Sequence, residues 1–278
     1  MKIARLLAIT SMFCIGTAAQ GHAAIHWYAS IEEASQHAIE ASRPMWIDFR
    51  AEWCAPCKEM EKEVYSRPEF EQASHRFLPV RIDCDKKTAI ARKYNIVTLP
   101  TIVFADSYGN ELFRHAGYLG PQPLLDMAKA LPGDVAEFNQ WSRILSADRN
   151  NFEALVGIGR SLRAAGLFRA SSEYYVKALQ RHESRANLET REAVLNELGL
   201  NFLTLREGKR AAASFEKCLK EFPDSPGKSQ WTLHLAEAYS LGDKNDRDKA
   251  RTLLQAFLAG NPAGPQSQRA VELLQTIP

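Results

Sequence analysis

A chain of 278 residues, 45% of them hydrophobic, is long enough for two domains with ordinary cores. Lys and Arg number 35 against 33 Asp and Glu. Two of the basic residues, Lys2 and Arg5, fall in an expected leader, so the mature chain is neutral and offers no net attraction to nucleic acid or an anionic membrane surface. Five cysteines are too few to staple a scaffold, and folding must rest on apolar burial.

The opening "MKIARLLAITSMFCIGTAAQGHAA" has a basic start, an apolar run from Leu6 to Ala19, and small residues at Gly21 and Ala23. It reads as a signal peptide over residues 1–23 that takes Cys14 away with it. No later stretch approaches ~20 uninterrupted apolar residues, so no membrane insertion is expected after cleavage. The compact leader places the mature chain in a bacterial periplasm, where disulfides persist.

Residues 24–132 alternate between strand and helix patterns. Ser30 and Glu33 stand at capping-box spacing ahead of helical periodicity. "PMWIDF" is a strand that delivers the chain to Trp53 and Cys54, and Pro56 then lies in the first turn of a helix through Met60 and Val64. "RPEFEQASHRF" is a helix, "LPVRIDC" a strand and "TAIARKY" a helix. "TIVFADSYGNELFRHAG" is a hairpin turning at Gly109 and Asn110, and "PQPLLDMAKAL" a closing helix. This order predicts an α/β sandwich on one central sheet.

"LPGDVAE" breaks the helix at Pro132 and Gly133 and reads as a linker, so the α/β part is expected to fold independently of the C-terminal half. Residues 133–278 show only helical periodicity, and they repeat. Leu155, Ile158, Gly159 and Leu162 precede Tyr175, Ala178 and Leu179; Leu195, Leu198, Gly199 and Phe202 precede Phe215, Cys218 and Leu219. Ala178 falls 19 residues after Gly159, and Cys218 falls 19 residues after Gly199. A looser copy uses Leu235, Ala236, Tyr239, Ala250, Leu254, Phe257 and Pro262. The pattern resembles the tetratricopeptide repeat, widened by an insertion in "QRHESRANLET" and flanked by a leading helix, "DVAEFNQWSRIL", and a capping helix, "PQSQRAVELLQTI".

Cys54 and Cys57 carry the chemistry. Structural zinc requires four ligands, and the chain has one such pair with scattered histidines. A disulfide across two residues closes too small a loop to stabilise much. Redox exchange fits the placement, because the first turn of a helix offers Cys54 unpaired N–H groups and the positive end of the dipole, which stabilise its thiolate. Cys57, one turn further in, is shielded and placed to resolve a mixed disulfide.

"WIDFRAEWCAPCKEM" followed by "YNIVTLPTIVF" resembles the thioredoxin superfamily, and "CKEMEKEVYSRPEF" points to the C-terminal periplasmic domain of DsbD-type reductases. The expected architecture is thus an α/β thioredoxin fold followed by an all-α tetratricopeptide-like domain. The resemblance implies that Pro100 is cis and faces the cysteines, that the Leu99 backbone pairs with an extended substrate, and that Asp48 exchanges a proton with Cys57. A carboxyl enclosed by apolar residues has the raised pKa this requires. Glu61 matches an acidic position of the same family, and Trp53 is expected on the substrate rim.

The implied function is a thiol–disulfide oxidoreductase without cofactor or metal. The Ala-Pro between its cysteines resembles the Gly-Pro of reducing thioredoxins. Its partners are protein substrates with disulfides or thiols, an upstream thiol electron donor, and a protein docked in the repeat groove. A redox-linked chaperone or adaptor is the alternative. Cys84 and Cys218 read as buried packing residues, and Arg160 and Arg163 as solvated charges near the groove.

Overall fold

The structure is a computed structural model that describes residues 25–260 and 263–277. The signal-peptide reading and Pro262 lie outside them. Helix α1 (Ile31–Ala41) begins where Ser30 Oγ accepts the N–H of Glu33 at 3.2 Å, which is half of the expected capping box.

Strand β1 (Met45–Arg50) is central, lying parallel to β2 (Leu78–Asp83) and antiparallel to β3 (Thr101–Ala105). Strand β4 (Glu111–Ala116) completes the order β2-β1-β3-β4. Both faces of β1 are covered, which is why it reads as an apolar run with one acid in it. Met45, Ile47 and Phe49 pack with Ala34 and Ala38 of α1, while Trp46 joins the opposite cluster with Met60, Val64, Phe77 and Phe104. Alternation puts Asp48 on the Trp46 face.

That face is covered by helix α2 (Ala55–Met60), which widens into a π-turn over Glu61–Tyr65, and by α3 (Pro68–Ser74) and α5 (Pro121–Ala130). Helix α4 (Thr88–Lys93) lies between β2 and β3 in the chain. The hairpin turn is drawn in by Asp106, whose Oδ1 accepts the N–H groups of Tyr108 and Asn110. Gly109 takes the positive φ of 78° that the turn requires.

The rest is helical: α6 (Ala136–Ala147), α7 (Phe152–Ala164), α8 (Phe168–Leu179), α9 (Glu183–Ala186), α10 (Leu188–Thr204), α11 (Gly208–Glu221), α12 (Lys228–Ser240), α13 (Lys244–Gly260) and α14 (Pro265–Thr276). The single turn α9 occupies the expected insertion. The two glycines do equivalent work. The Tyr175 ring lies where a Cβ on Gly159 would stand, and a Cβ on Gly199 would come within 2.6 Å of the Phe215 ring. Each pair of helices approaches closely because its glycine has no side chain.

"LPGDVAE" is packed, contrary to its reading as a linker. Leu131 and Val135 are fully buried. One continuous cluster runs from Phe104, Phe113 and Leu124 of the α/β part to Phe138, Ile158 and Leu162 of α6 and α7. Asn139 of α6 accepts the Ser107 N–H at 3.1 Å, and Tyr174 of α8 donates to the Glu111 carbonyl at 3.0 Å. A helix break in sequence marks a change of direction, and tertiary burial decides whether it is a hinge.

These contacts sit at one end of the sheet. Met45 pairs with Ala105 beside the hairpin turn, whereas Phe49 pairs with Thr101 near the exit toward Cys54. Six strand residues span about 20 Å, so the helical array and the cysteine pair occupy opposite ends.

Candidate active site

Cys54 and Cys57 are joined in a disulfide. Cys54 is the N-cap of α2: its Sγ accepts the Cys57 N–H at 3.2 Å, and its carbonyl accepts the Lys58 N–H at the same distance. Pro56 falls in the first turn, where the missing N–H leaves no bond unmade. Both cysteines are buried in this oxidised form, Cys54 at 1% exposure and Cys57 at 3%, so the expected contrast in shielding is absent from it.

Leu99 packs against the pair together with Ala51. The Leu99–Pro100 peptide is cis, and the Pro100 carbonyl accepts the Gly117 N–H at 2.7 Å. Trp53 is 69% exposed, its indole N–H donating to Asp85 at 2.9 Å, and Val97 is 87% exposed. An exposed indole therefore stands directly before a buried disulfide.

Asp48 is 2% exposed, and burial pushes its carboxyl above the ordinary aspartate range despite Arg81 and Arg50. Its Oδ2 accepts from Arg81 Nε at 3.2 Å. Glu61, at the head of the π-turn, stands 2.7 Å from Arg81 Nη2 and 2.9 Å from Arg50 Nη1. It is thus an ion-paired residue rather than a solvated helix charge. Sequence reasoning missed both arginines. Arg81 falls between Val80 and Ile82, whose burial was legible, and its alternate position was the one signal that it faces Asp48 across the parallel pair.

Among the other candidates, Cys84 lies just past the end of β2 and is partly buried, with its thiol pushed up to about 11, burial being the main cause. Cys218 is fully buried between helices, and burial pushes its thiol up to about 12. Arg160, with half of its side chain exposed, fits its reading as a solvated charge, whereas Arg163 is partly buried. Arg160 stands 3.8 Å from Glu197 and Arg163 bonds to Asn201, so both tie α7 to α10. Among the described residues no group of three or more His, Cys, Asp or Glu is arranged to hold a metal ion. No described helix is long and apolar enough to cross a membrane.

A four-stranded sheet whose central strand leads into a CxxC disulfide capping the next helix defines a thiol–disulfide oxidoreductase site. Residues 31–132 match the thioredoxin-like domain family, so this part of the chain is a thioredoxin-like domain. It is 32% identical over 98 residues to the thiol:disulfide interchange protein DsbD of Cronobacter sakazakii and 35% identical over 96 residues to that of Yersinia pestis. These matches cover 34% and 32% of this chain but only 17% and 16% of the relatives. Among solved structures, a DsbH oxidoreductase is similar with a TM-score of 0.37 and 21% identity, over 44% of this chain and 93% of that one. The oxidised DsbD C-terminal domain of Neisseria meningitidis is similar with a TM-score of 0.33 and 22% identity, over 37% and 96%.

Proposed function

We propose that the chain is a periplasmic thiol–disulfide oxidoreductase that acts as a reductant. The observation that carries this reading is the Cys54 Sγ held as the helix N-cap by the Cys57 N–H. After reduction the same donor and the helix dipole favour a thiolate at Cys54. That thiolate attacks a substrate disulfide, one substrate sulfur leaves as a thiolate, and a mixed disulfide forms. Cys57 then gives its proton to Asp48 and attacks Cys54 Sγ, releasing the second substrate sulfur and restoring the observed disulfide. An upstream thiol donor supplies the two electrons for the next cycle. Glu61 stands beside the exchange as the ion-pair partner of Arg81 and Arg50, and Trp53, Leu99 and Pro100 form the surface on which an extended substrate lies. The Ala-Pro pair favours the reducing direction.

The helical array, of tetratricopeptide type, selects a protein partner. A cleft between α8, α10 and α11, about 300 Å³, is lined by Val176, Leu179 and Leu195 together with Arg210 and Lys217. Because the array docks at the far end of the sheet, a partner held there must reach about 20 Å to present a disulfide to Cys54.

The experiment is insulin reduction by the full chain with dithiothreitol as donor, comparing wild type with Cys54→Ser. Catalysis by the wild type and none by the variant is expected. Equal rates would overturn the reading.

A further inference from the structure

We propose that Arg81 is a positioning residue of the exchange site, a guanidinium that bridges the buried carboxylate of Asp48 to the half-exposed carboxylate of Glu61 and so keeps Asp48 able to accept the Cys57 proton. The inference rests on the reading that Asp48 is that acceptor.

The bridge is built from separate nitrogens of one planar group. Nε donates to Asp48 Oδ2 at 3.2 Å, and Nη2 lies 2.7 Å from Glu61 Oε2 as an ion pair without an aligned hydrogen bond. The guanidinium carbon lies 4.1 Å from the centre of the Trp27 ring and 5.6 Å from that of Tyr65. Trp27 is itself wedged edge-on against Trp46 and Tyr65, at 5.9 and 5.2 Å. The fork is therefore fixed in plane as well as in position, which a flexible ammonium would not be. Arg50 pairs with Glu61 at 2.9 Å.

The chemistry needs this cation. To take a proton, Asp48 must first be ionised, and a carboxylate 3% exposed in an apolar face resists ionisation. The charged and titratable groups that act on it are Arg50 on its own strand, Arg81 on β2, and Glu61 and Tyr65 on the π-turn, with Cys84 past the end of β2. Arg81 is the largest of the influences that oppose burial, and Glu61 works against it. By pairing with Glu61 as well, Arg81 offsets the one carboxylate that would hold Asp48 neutral. In the step itself, the Cys57 S–H bond breaks, its proton goes to Asp48, the Cys57–Cys54 bond forms, and the Cys54–substrate bond breaks with its electron pair leaving on the substrate sulfur.

The test uses the full chain in two measurements: the titration of the Asp48 side-chain carboxyl by carbon NMR in the oxidised form, and the pH dependence of insulin reduction. Arg81→Gln is expected to move both the titration and the rising limb of the rate to higher pH, with the rate at pH 7 reduced roughly tenfold. Arg81→Lys should recover part of the loss. In an Asp48→Asn background, Arg81→Gln should cost nothing more. An unchanged Asp48 titration in Arg81→Gln, or a full further loss of rate in the Asp48→Asn background, overturns the proposal. If Asp48→Asn alone leaves the rate intact, the acceptor reading fails, and the titration still decides whether Arg81 controls the charge of Asp48.

Discussion

The backbone N–H of Val135 donates to the carbonyl of Ser42 at 2.8 Å, fastening the segment after the thioredoxin-like domain to the end of that domain's first helix. Val135, Phe138, Ile158 and Leu162 then complete an apolar cluster begun by the sheet and α5. A chain ended after Leu131 would expose this surface, and each large side chain left uncovered forfeits about 1.5–3 kcal/mol. Such a fragment should be insoluble or melt well below the full chain. Phe138→Ala in the full chain should cost about 3 kcal/mol and speed hydrogen exchange in β3 and β4. A fragment as stable as the full chain would show that the shared cluster is dispensable.

The two cysteines differ in role, and a trapping experiment separates them. Cys57→Ser should accumulate mixed disulfides with client proteins through Cys54, visible on non-reducing gels, whereas Cys54→Ser should not. Equal trapping by both variants would reverse or erase the assignment.

Asp48 links the site to stability. Its folded-state pKa lies above the unfolded value of about 3.9. The native state therefore binds the proton more tightly, and wild type loses stability as pH rises from about 3.9 to the folded value, with no further loss above it. Asp48→Asn removes this dependence. In urea denaturation the variant should gain on wild type as pH rises above about 4, while its exchange rate falls. A difference in stability that does not change with pH would contradict the buried, proton-retaining carboxyl.

Gly199→Ala tests the helical packing. Alanine favours a helix by about 1 kcal/mol over glycine, yet its Cβ would meet the Phe215 ring at 2.6 Å. Overpacking costs about 1–3 kcal/mol, so the variant should melt lower, and Phe215→Leu in the same chain should recover part of the loss. A rise in melting temperature for Gly199→Ala alone would show that the helices can move apart freely.

Much of this was legible because local pattern and tertiary role coincide. The apolar run at β1, the alternation of β2, and Pro56 behind Cys54 each state in a few residues what the fold uses. The paired glycines announced the close helix approaches at a fixed distance from the rings that fill them. What was not legible depends on contacts between distant segments. Arg81 becomes part of the site only when β2 pairs in register with β1 and Trp27 folds beneath the guanidinium. Glu61 turns toward two arginines because α2 widens there, and one extra residue in a helical turn leaves no mark in the periodicity. Leu131 and Val135 look like linker residues until α6 brings their neighbours back onto the sheet.

Whether Cys54 and Cys57 form a reducing couple is decided by their reduction potential. Couples on this fold span about −270 to −120 mV. Equilibrated with a dithiol buffer and followed by tryptophan fluorescence or thiol labelling, the full chain should titrate near the reducing end of that range. A value near −120 mV would make the protein an oxidant, and a disulfide that resists reduction below about −300 mV would make the pair structural.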